Sequence, residues 1–252
     1  MNLELEGKRA FVSGGSRGIG KVIARQLAAE GADVVISARG REALEATAAE
    51  LAAETGRRIV AVVGDTSREA SVDAMVEKAI EALGGIDILI NCAALPGGLS
   101  TASQLSEIVD AEALEDINIK VIGYLRTARA LAPHMVANGW GRIVNVGGLS
   151  IYLTGRPVAT LRNVGVAAIT KNLADELGPQ GINVTAVHPG MTQTDVTDAA
   201  TEALAATTTS LGRMVTAEEV ANVVTFLASP LSAAINGDAI PGGGGKPGTI
   251  RY

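Results

Sequence analysis

Arg9-Ala10-Phe11-Val12-Ser13-Gly14-Gly15-Ser16-Arg17-Gly18-Ile19-Gly20 is the stretch whose reading decides the fold. Its first five residues form a β-favouring apolar run, and the next seven are rich in glycine. An amphipathic helical pattern over 19–30 follows and stops at Gly31. A strand, a glycine turn and a helix N-terminus in that order let backbone N–H groups come close to a pyrophosphate. Glycine patterns alone are common; the strand–turn–helix setting gives this one its weight.

Outward from it, Asp33–Ala38, Ile59–Val63, 86–91, 142–146, 182–187 and 238–240 read as further strands. Helical patterns over 42–54, 66–83, 111–138, 158–177 and 216–228 separate them. Thr66-Ser67-Arg68-Glu69 and Thr216-Ala217-Glu218-Glu219 have the spacing of capping boxes. Strands alternating with helices predict an α/β fold with a parallel sheet covered on both faces. The near-continuous apolar strands fit a sheet buried on both sides. The expected architecture is a doubly wound Rossmann-type domain of seven parallel strands. No composition shift or repeat divides the chain, so 1–252 reads as one domain.

Composition narrows the function classes. A net charge of −6 and only 2% aromatic residues offer neither a basic footprint nor a stacking platform for nucleic acid. One cysteine, Cys92, makes no intramolecular disulfide, and the acidic start lacks a secretory pattern, so a reducing cytoplasmic setting is expected. No uncharged apolar run reaches the roughly 18 residues a membrane span needs. There is no metal-ligand spacing and no Gly-x-Ser-x-Gly elbow, so no metal is expected.

Ser37-Ala38-Arg39 closes the second strand. An acidic residue there would bind a ribose 2′-hydroxyl, whereas Arg39, with Arg17 in the glycine loop, suits a 2′-phosphate. NADP(H) is therefore favoured, with NAD(H) as the second option.

These motifs together resemble the short-chain dehydrogenase/reductase family over nearly the whole chain. The resemblance implies that Gly14, Ser16, Arg17, Ile19 and Gly20 hold the cofactor phosphates and that Asp65 and Thr66 lie by the adenine. It assigns Asn91 and Ala93, within Asn91-Cys92-Ala93-Ala94, to the segment after the fourth strand. Pro189, Gly190, Thr192 and Thr194 would hold the nicotinamide side. It further implies a homodimer or homotetramer packed through helices 111–138 and 158–177.

The chemical half of the pattern is broken. The family's proton donor is a Tyr with a Lys four residues later, on one helix face. None of the three tyrosines has that partner: Ala128 follows Tyr124, Arg156 follows Tyr152, and Tyr252 ends the chain. Counting back from Pro189 and from Glu176-Leu177, the Tyr position falls on Ala159 and the Lys position on Asn163. The Ser position falls near Gly147-Gly148. Asn118 matches the remaining member of the tetrad. Tyr152, in a Tyr-x-x-x-Arg spacing, and Ser150 are the candidate substitutes. His188 reads as a structural or pocket-rim residue and Cys92 as a small filler.

The expected function is an NADP(H)-dependent oxidoreductase with an altered site, acting on a small neutral molecule with an activated C=C, C=N or carbonyl. The neutral ligand is suggested by Asp195, Asp198 and Glu202 in the covering segment 191–211. The alternatives are a cofactor-binding partner without catalysis, or a lyase or isomerase built on the same scaffold.

Overall fold

The computed structural model describes residues 2–95, 97–194, 197 and 199–248. Seven strands form one all-parallel sheet in the order β3-β2-β1-β4-β5-β6-β9: Ile59–Val63, Asp33–Ala38, Arg9–Ser13, Ile88–Asn91, Gly141–Val146, Ile182–Pro189 and Ala239–Gly242. Ser13 pairs in register with Ser37 on one side and Asn91 on the other. The chain winds outward from β1 through β2 and β3, then returns to place β4 on the opposite side. That reversal between β1 and β4 is where an open α/β sheet leaves a crevice beyond its strand ends.

Alternation along the strands feeds two cores. Ala10, Val12, Ile36 and Ile90 pack with α1 (Gly18–Ala29), α2 (Arg41–Thr55) and α8 (Ala217–Leu227). Phe11, Val35, Leu89 and Ile143 pack on the other face with α3 (Glu69–Leu83), α5 (Gly123–Ala137) and α6 (Pro157–Leu177). Sheet and helices thus make the doubly wound Rossmann-type architecture expected. A short pair, β7 (Thr192–Gln193) with β8 (Val215–Thr216), and the helix α7 (Ala199–Thr208) lie in and beside the covering segment.

Two local expectations fail for identifiable reasons. The box at Thr66 does not form: α3 begins at Glu69 after Arg68, and the Thr66 hydroxyl donates instead to the Ile119 carbonyl. At Thr216 the box is complete, with Glu219 N–H donating to the threonine hydroxyl at 3.2 Å and Thr216 N–H to the Glu219 carboxylate at 2.8 Å. The helix expected over 111–138 is interrupted. α4 (Asp110–Ile117) passes into a π-helical turn, Asn118–Ile122, before α5 resumes. Such turns insert one residue into an α-helix and redirect the side chains around them.

Candidate active site

A cleft of about 860 Å³ opens along the C-terminal ends of β1, β2, β4, β5 and β6. Its nucleotide end is built by the glycine loop. Gly14 has φ 72°, and a Cβ there would lie 2.9 Å from Ala93 Cα, so glycine alone lets the loop lie against residues 92–93. A Cβ on Gly20 would overlap the Gly14 carbonyl, so the start of α1 also needs its glycine. Ser13 Oγ accepts from Cys92 N–H at 3.1 Å and Ala93 N–H at 3.2 Å, holding the turn after β4 to β1. Arg17, which precedes α1, gives that helix no side-chain cap, so its first N–H groups face the cleft without a side-chain acceptor. These features fit the diphosphate of a dinucleotide.

The cleft brings together Gly14, Ser16, Arg17, Ile19, Gly20, Arg39, Asp65, Thr66, Ala93, Pro189, Gly190, Thr192 and Thr194. Arg17 and Arg39 are exposed and form no ion pair among the described residues. Asn91 does not line the cleft. It is fully buried, donating to Asn145 Oδ1 at 2.9 Å and accepting from the Thr127 hydroxyl at 2.6 Å, while Asn145 donates to Thr170. Its amide knits β4 to β5 and α5 beneath the site.

Asn118, expected at the chemical end, also lies outside the cleft lining. Its amide donates to Glu115 at 3.1 Å and to the Ser67 carbonyl at 3.4 Å, and its oxygen accepts from Arg126 at 2.9 Å. The π turn brings Lys120 to the cleft in its place. Lys120 is 4% exposed; its ammonium donates to the Gly147 carbonyl at 2.9 Å and to Asn163 Oδ1 at 3.0 Å. Asn163 in turn donates to Ser150 Oγ at 2.6 Å and the Ala159 carbonyl at 2.8 Å, and the Ser150 hydroxyl donates to that same carbonyl at 3.1 Å. Ser150, Ala159, Asn163 and Gly148 all line the cleft.

Neither folded tyrosine reaches this end. Tyr124 is buried, its hydroxyl donating to the Val146 carbonyl at 3.0 Å, and burial raises its pKa well above the phenol range. Tyr152 is exposed, stands edge-on to the His188 ring with centroids 6.1 Å apart, and lies outside the lining. Tyr252 and the acidic pair Asp195 and Asp198 lie outside the described residues. His188 is fully buried and accepts from Gly148 N–H at Nδ1, 3.0 Å away. A Cβ on Gly147 would overlap that ring, so Gly147 and Gly148 form a glycine seat for His188.

Charge at this end comes from residues the motif reading did not single out. Arg162 lines the cleft and pairs with buried Asp116 at 3.3 Å; the Asp116 carboxylate also accepts Leu99 N–H at 2.9 Å. Burial lowers the Arg162 pKa, with Asp116 opposing the shift. Burial is also the largest influence on Lys120, followed by the charge of Arg162; together they push it down to about 7. Burial pushes the Cys92 thiol up to about 11, which keeps it neutral near pH 7. The one sequence signal for Lys120 was a cation within the apolar run Ile119-Lys120-Val121-Ile122. Lysines in such settings are rarely buried without a partner. Among the described residues no group of three or more His, Cys, Asp or Glu could hold a metal, and no helix is long and apolar enough to cross a membrane.

Comparison with known proteins agrees with this geometry. A family model described as enoyl-(acyl carrier protein) reductase matches residues 14–246. The chain is 33% identical to the short-chain reductase protein NovJ of Streptomyces niveus, over 94% of this chain and 93% of that one. It is 34% identical to the 3-oxoacyl-(acyl-carrier-protein) reductase FabG of Aquifex aeolicus, over 97% and 99%. Among solved structures, L-sorbose reductase of Gluconobacter frateurii, complexed with NADPH and L-sorbose, superposes with TM-score 0.91 at 29% identity, covering 99% of this chain and 100% of that one. A short-chain dehydrogenase of Burkholderia cenocepacia in complex with NADP superposes with TM-score 0.87 at 34% identity, over 96% and 98%. Matched along almost its whole length, with the glycine loop, the sheet order and the cleft in their places, the chain belongs to the short-chain dehydrogenase/reductase family of oxidoreductases.

Proposed function

We propose that this protein binds NADP(H) and transfers hydride to or from a small neutral organic molecule, a carbonyl or an activated C=C or C=N, through a site without the family's Tyr-x-x-x-Lys pair. The observation that carries the reading is the intact nucleotide end: the loop Gly14–Gly20, the uncapped start of α1, and Arg17 and Arg39 in one cleft. Relatives described with NADP or NADPH bound support the choice of cofactor. When bound, the cofactor would supply or accept the hydride. This chain's residues would hold the phosphates at the glycine loop, place the carboxamide against Thr192 and Thr194, and enclose the substrate between Ser150, Asn163 and Arg162. The Arg162–Asp116 pair largely cancels its own charge, which suits a neutral substrate.

The test is fluorescence titration with NADPH and NADH, followed by absorbance at 340 nm with ketones, enones and imines. Tight NADPH binding with oxidation by at least one of these acceptors is expected. Absence of NADPH binding sinks the reading; binding without turnover favours the cofactor-holding partner instead.

Self-association belongs to the same proposal. Leu161 and Val164 stand exposed on α6, and Leu114 on α4, along the helices through which a homo-oligomer would pack. Leu161→Glu with Val164→Glu is expected to yield a smaller particle by light scattering.

A further inference from the structure

The buried ammonium of Lys120 is assigned no part by the cofactor end of the cleft. It projects from the π turn between the Gly147 carbonyl and Asn163 Oδ1, and these two acceptors account for two of its three N–H donors. It lines the cleft at the end where Ala159 and Asn163 stand. The remaining polar groups there are poor proton sources. Tyr124's hydroxyl is spent on Val146 beneath the site, Ser150 donates to a backbone carbonyl, Arg162 is a guanidinium, and Cys92 keeps its proton to about pH 11.

We propose that Lys120 is the proton donor of this site, the ammonium taking over the work of the missing phenol. The assignment rests on the hydride-transfer reading above. With a carbonyl substrate, hydride reaches the carbon and forms the new C–H bond. The C=O π pair then moves to oxygen and takes a proton from Lys120 Nζ, leaving a neutral amine. That amine regains its proton from bulk solvent, which supplies the one proton the reduction consumes. The sum is carbonyl, reduced cofactor and one proton going to alcohol and oxidised cofactor; the reverse reaction uses the neutral amine as base. Asn163 acts as a positioning residue, because its oxygen accepts from the ammonium while its NH₂ is fixed by Ser150 and Ala159.

The charges around Lys120 support the role. Burial and the charge of Arg162 on α6 both oppose its ionisation, and together they outweigh the carboxylate of Asp116 on α4, which favours it. The balance brings the ammonium to about 7, where donor and acceptor forms are both abundant and general acid catalysis is most effective.

Two measurements on the full-length protein test this. The first is competitive labelling with acetic anhydride across pH 6–11, read by mass spectrometry at each lysine. Lys120 is expected to show a reactivity midpoint within about one unit of 7. A Lys120 midpoint near 10 overturns the proposal. The second is NADPH oxidation with ethyl acetoacetate and with phenanthrenequinone by wild type, Lys120→Met and Lys120→Arg, each checked for folding by circular dichroism. Loss of about 100-fold or more in kcat is expected for both variants, with NADPH affinity unchanged. The wild-type profile should fall above pH 7. Lys120→Arg keeps the charge and the hydrogen bonds but does not titrate, so full activity in that variant means a structural peg and overturns the donor role. Full activity in Lys120→Met does the same. A wild type that binds NADPH and reduces neither probe, nor any enone or imine, overturns the hydride-transfer reading, and the donor role with it.

Discussion

Lys120 Nζ lies 3.0 Å from Asn163 Oδ1, a cation from the α4–α5 junction bonded to an amide on α6 across 43 residues of sequence. Asn163 is the residue on which the count back from Pro189 and from Glu176-Leu177 puts the family's lysine. A positive charge stands at this end of the cleft, carried by the π turn between α4 and α5.

That relationship sets the outcome of restoring the family pair. Asn163→Lys alone would place a second ammonium within hydrogen-bonding distance of Lys120 in a buried setting. It should destabilise the protein by about 2–3 kcal/mol, since unpaired buried charge is among the costlier lesions. Adding Lys120→Asn should recover most of that loss, a coupling of about 1–3 kcal/mol in a double-mutant cycle by urea denaturation. With Ala159→Tyr added to the exchanged pair, carbonyl reduction should appear or rise. Additive effects in the cycle would contradict the contact.

Stability should depend on pH through the same residue. The folded-state pKa of Lys120 is lowered to about 7 from 10.5, so between those values the unfolded chain binds more protons than the folded one. Stability then rises with pH across that window, by up to about 1.4 kcal/mol per unit from this group, and the contribution is flat below pH 7. Urea curves at pH 6.5, 8 and 9 should show wild type gaining relative to Lys120→Met. A parallel pH response of the two proteins would refute the shifted ammonium.

Arg39→Asp should exchange a 2′-phosphate contact for a repulsion. NADPH affinity is expected to fall about 10- to 100-fold, as for a lost charge-assisted hydrogen bond of about 1.5–3 kcal/mol. NADH affinity should hold or improve, and calorimetry with both cofactors measures the difference. Equal loss for the two would remove Arg39 from the 2′ site.

Gly147→Ala drives a methyl group into the His188 ring. The imidazole must leave its bond to Gly148 N–H, and a cost of about 2–4 kcal/mol is expected in the melting temperature and urea midpoint. Unchanged stability would show that the His188 seat is looser than its packing indicates.

The legible parts of this molecule are those written over a few adjacent residues. β1, β2 and β3 run as apolar stretches between turns, and the loop Gly14–Gly20 carries its own strand and helix for context. The box at Thr216 is likewise local. The box at Thr66 has the right spacing, but its hydroxyl finds the Ile119 carbonyl, more than fifty residues away, and such competition leaves no mark in a four-residue window. The same holds for Asn91, whose amide is absorbed into the network with Asn145 and Thr127. Asn118 was singled out because its residue type matched, whereas the helix turns Lys120, two residues on, into the cleft. Periodicity over 111–138 reads straight through the π turn, because a single extra residue barely disturbs an apolar pattern.

That turn makes the chemistry here a matter of chain length as much as of residue identity. An α-helix advances about 100° per residue. Deleting one residue from Asn118–Ile122 would let α4 and α5 join smoothly and swing the side chains before the cut by about that angle. Lys120 would leave the cleft with its own identity unchanged. A catalogue of single substitutions would never visit that variant. Insertion or loss of one codon would therefore make or unmake such a site as surely as a substitution at Lys120 itself.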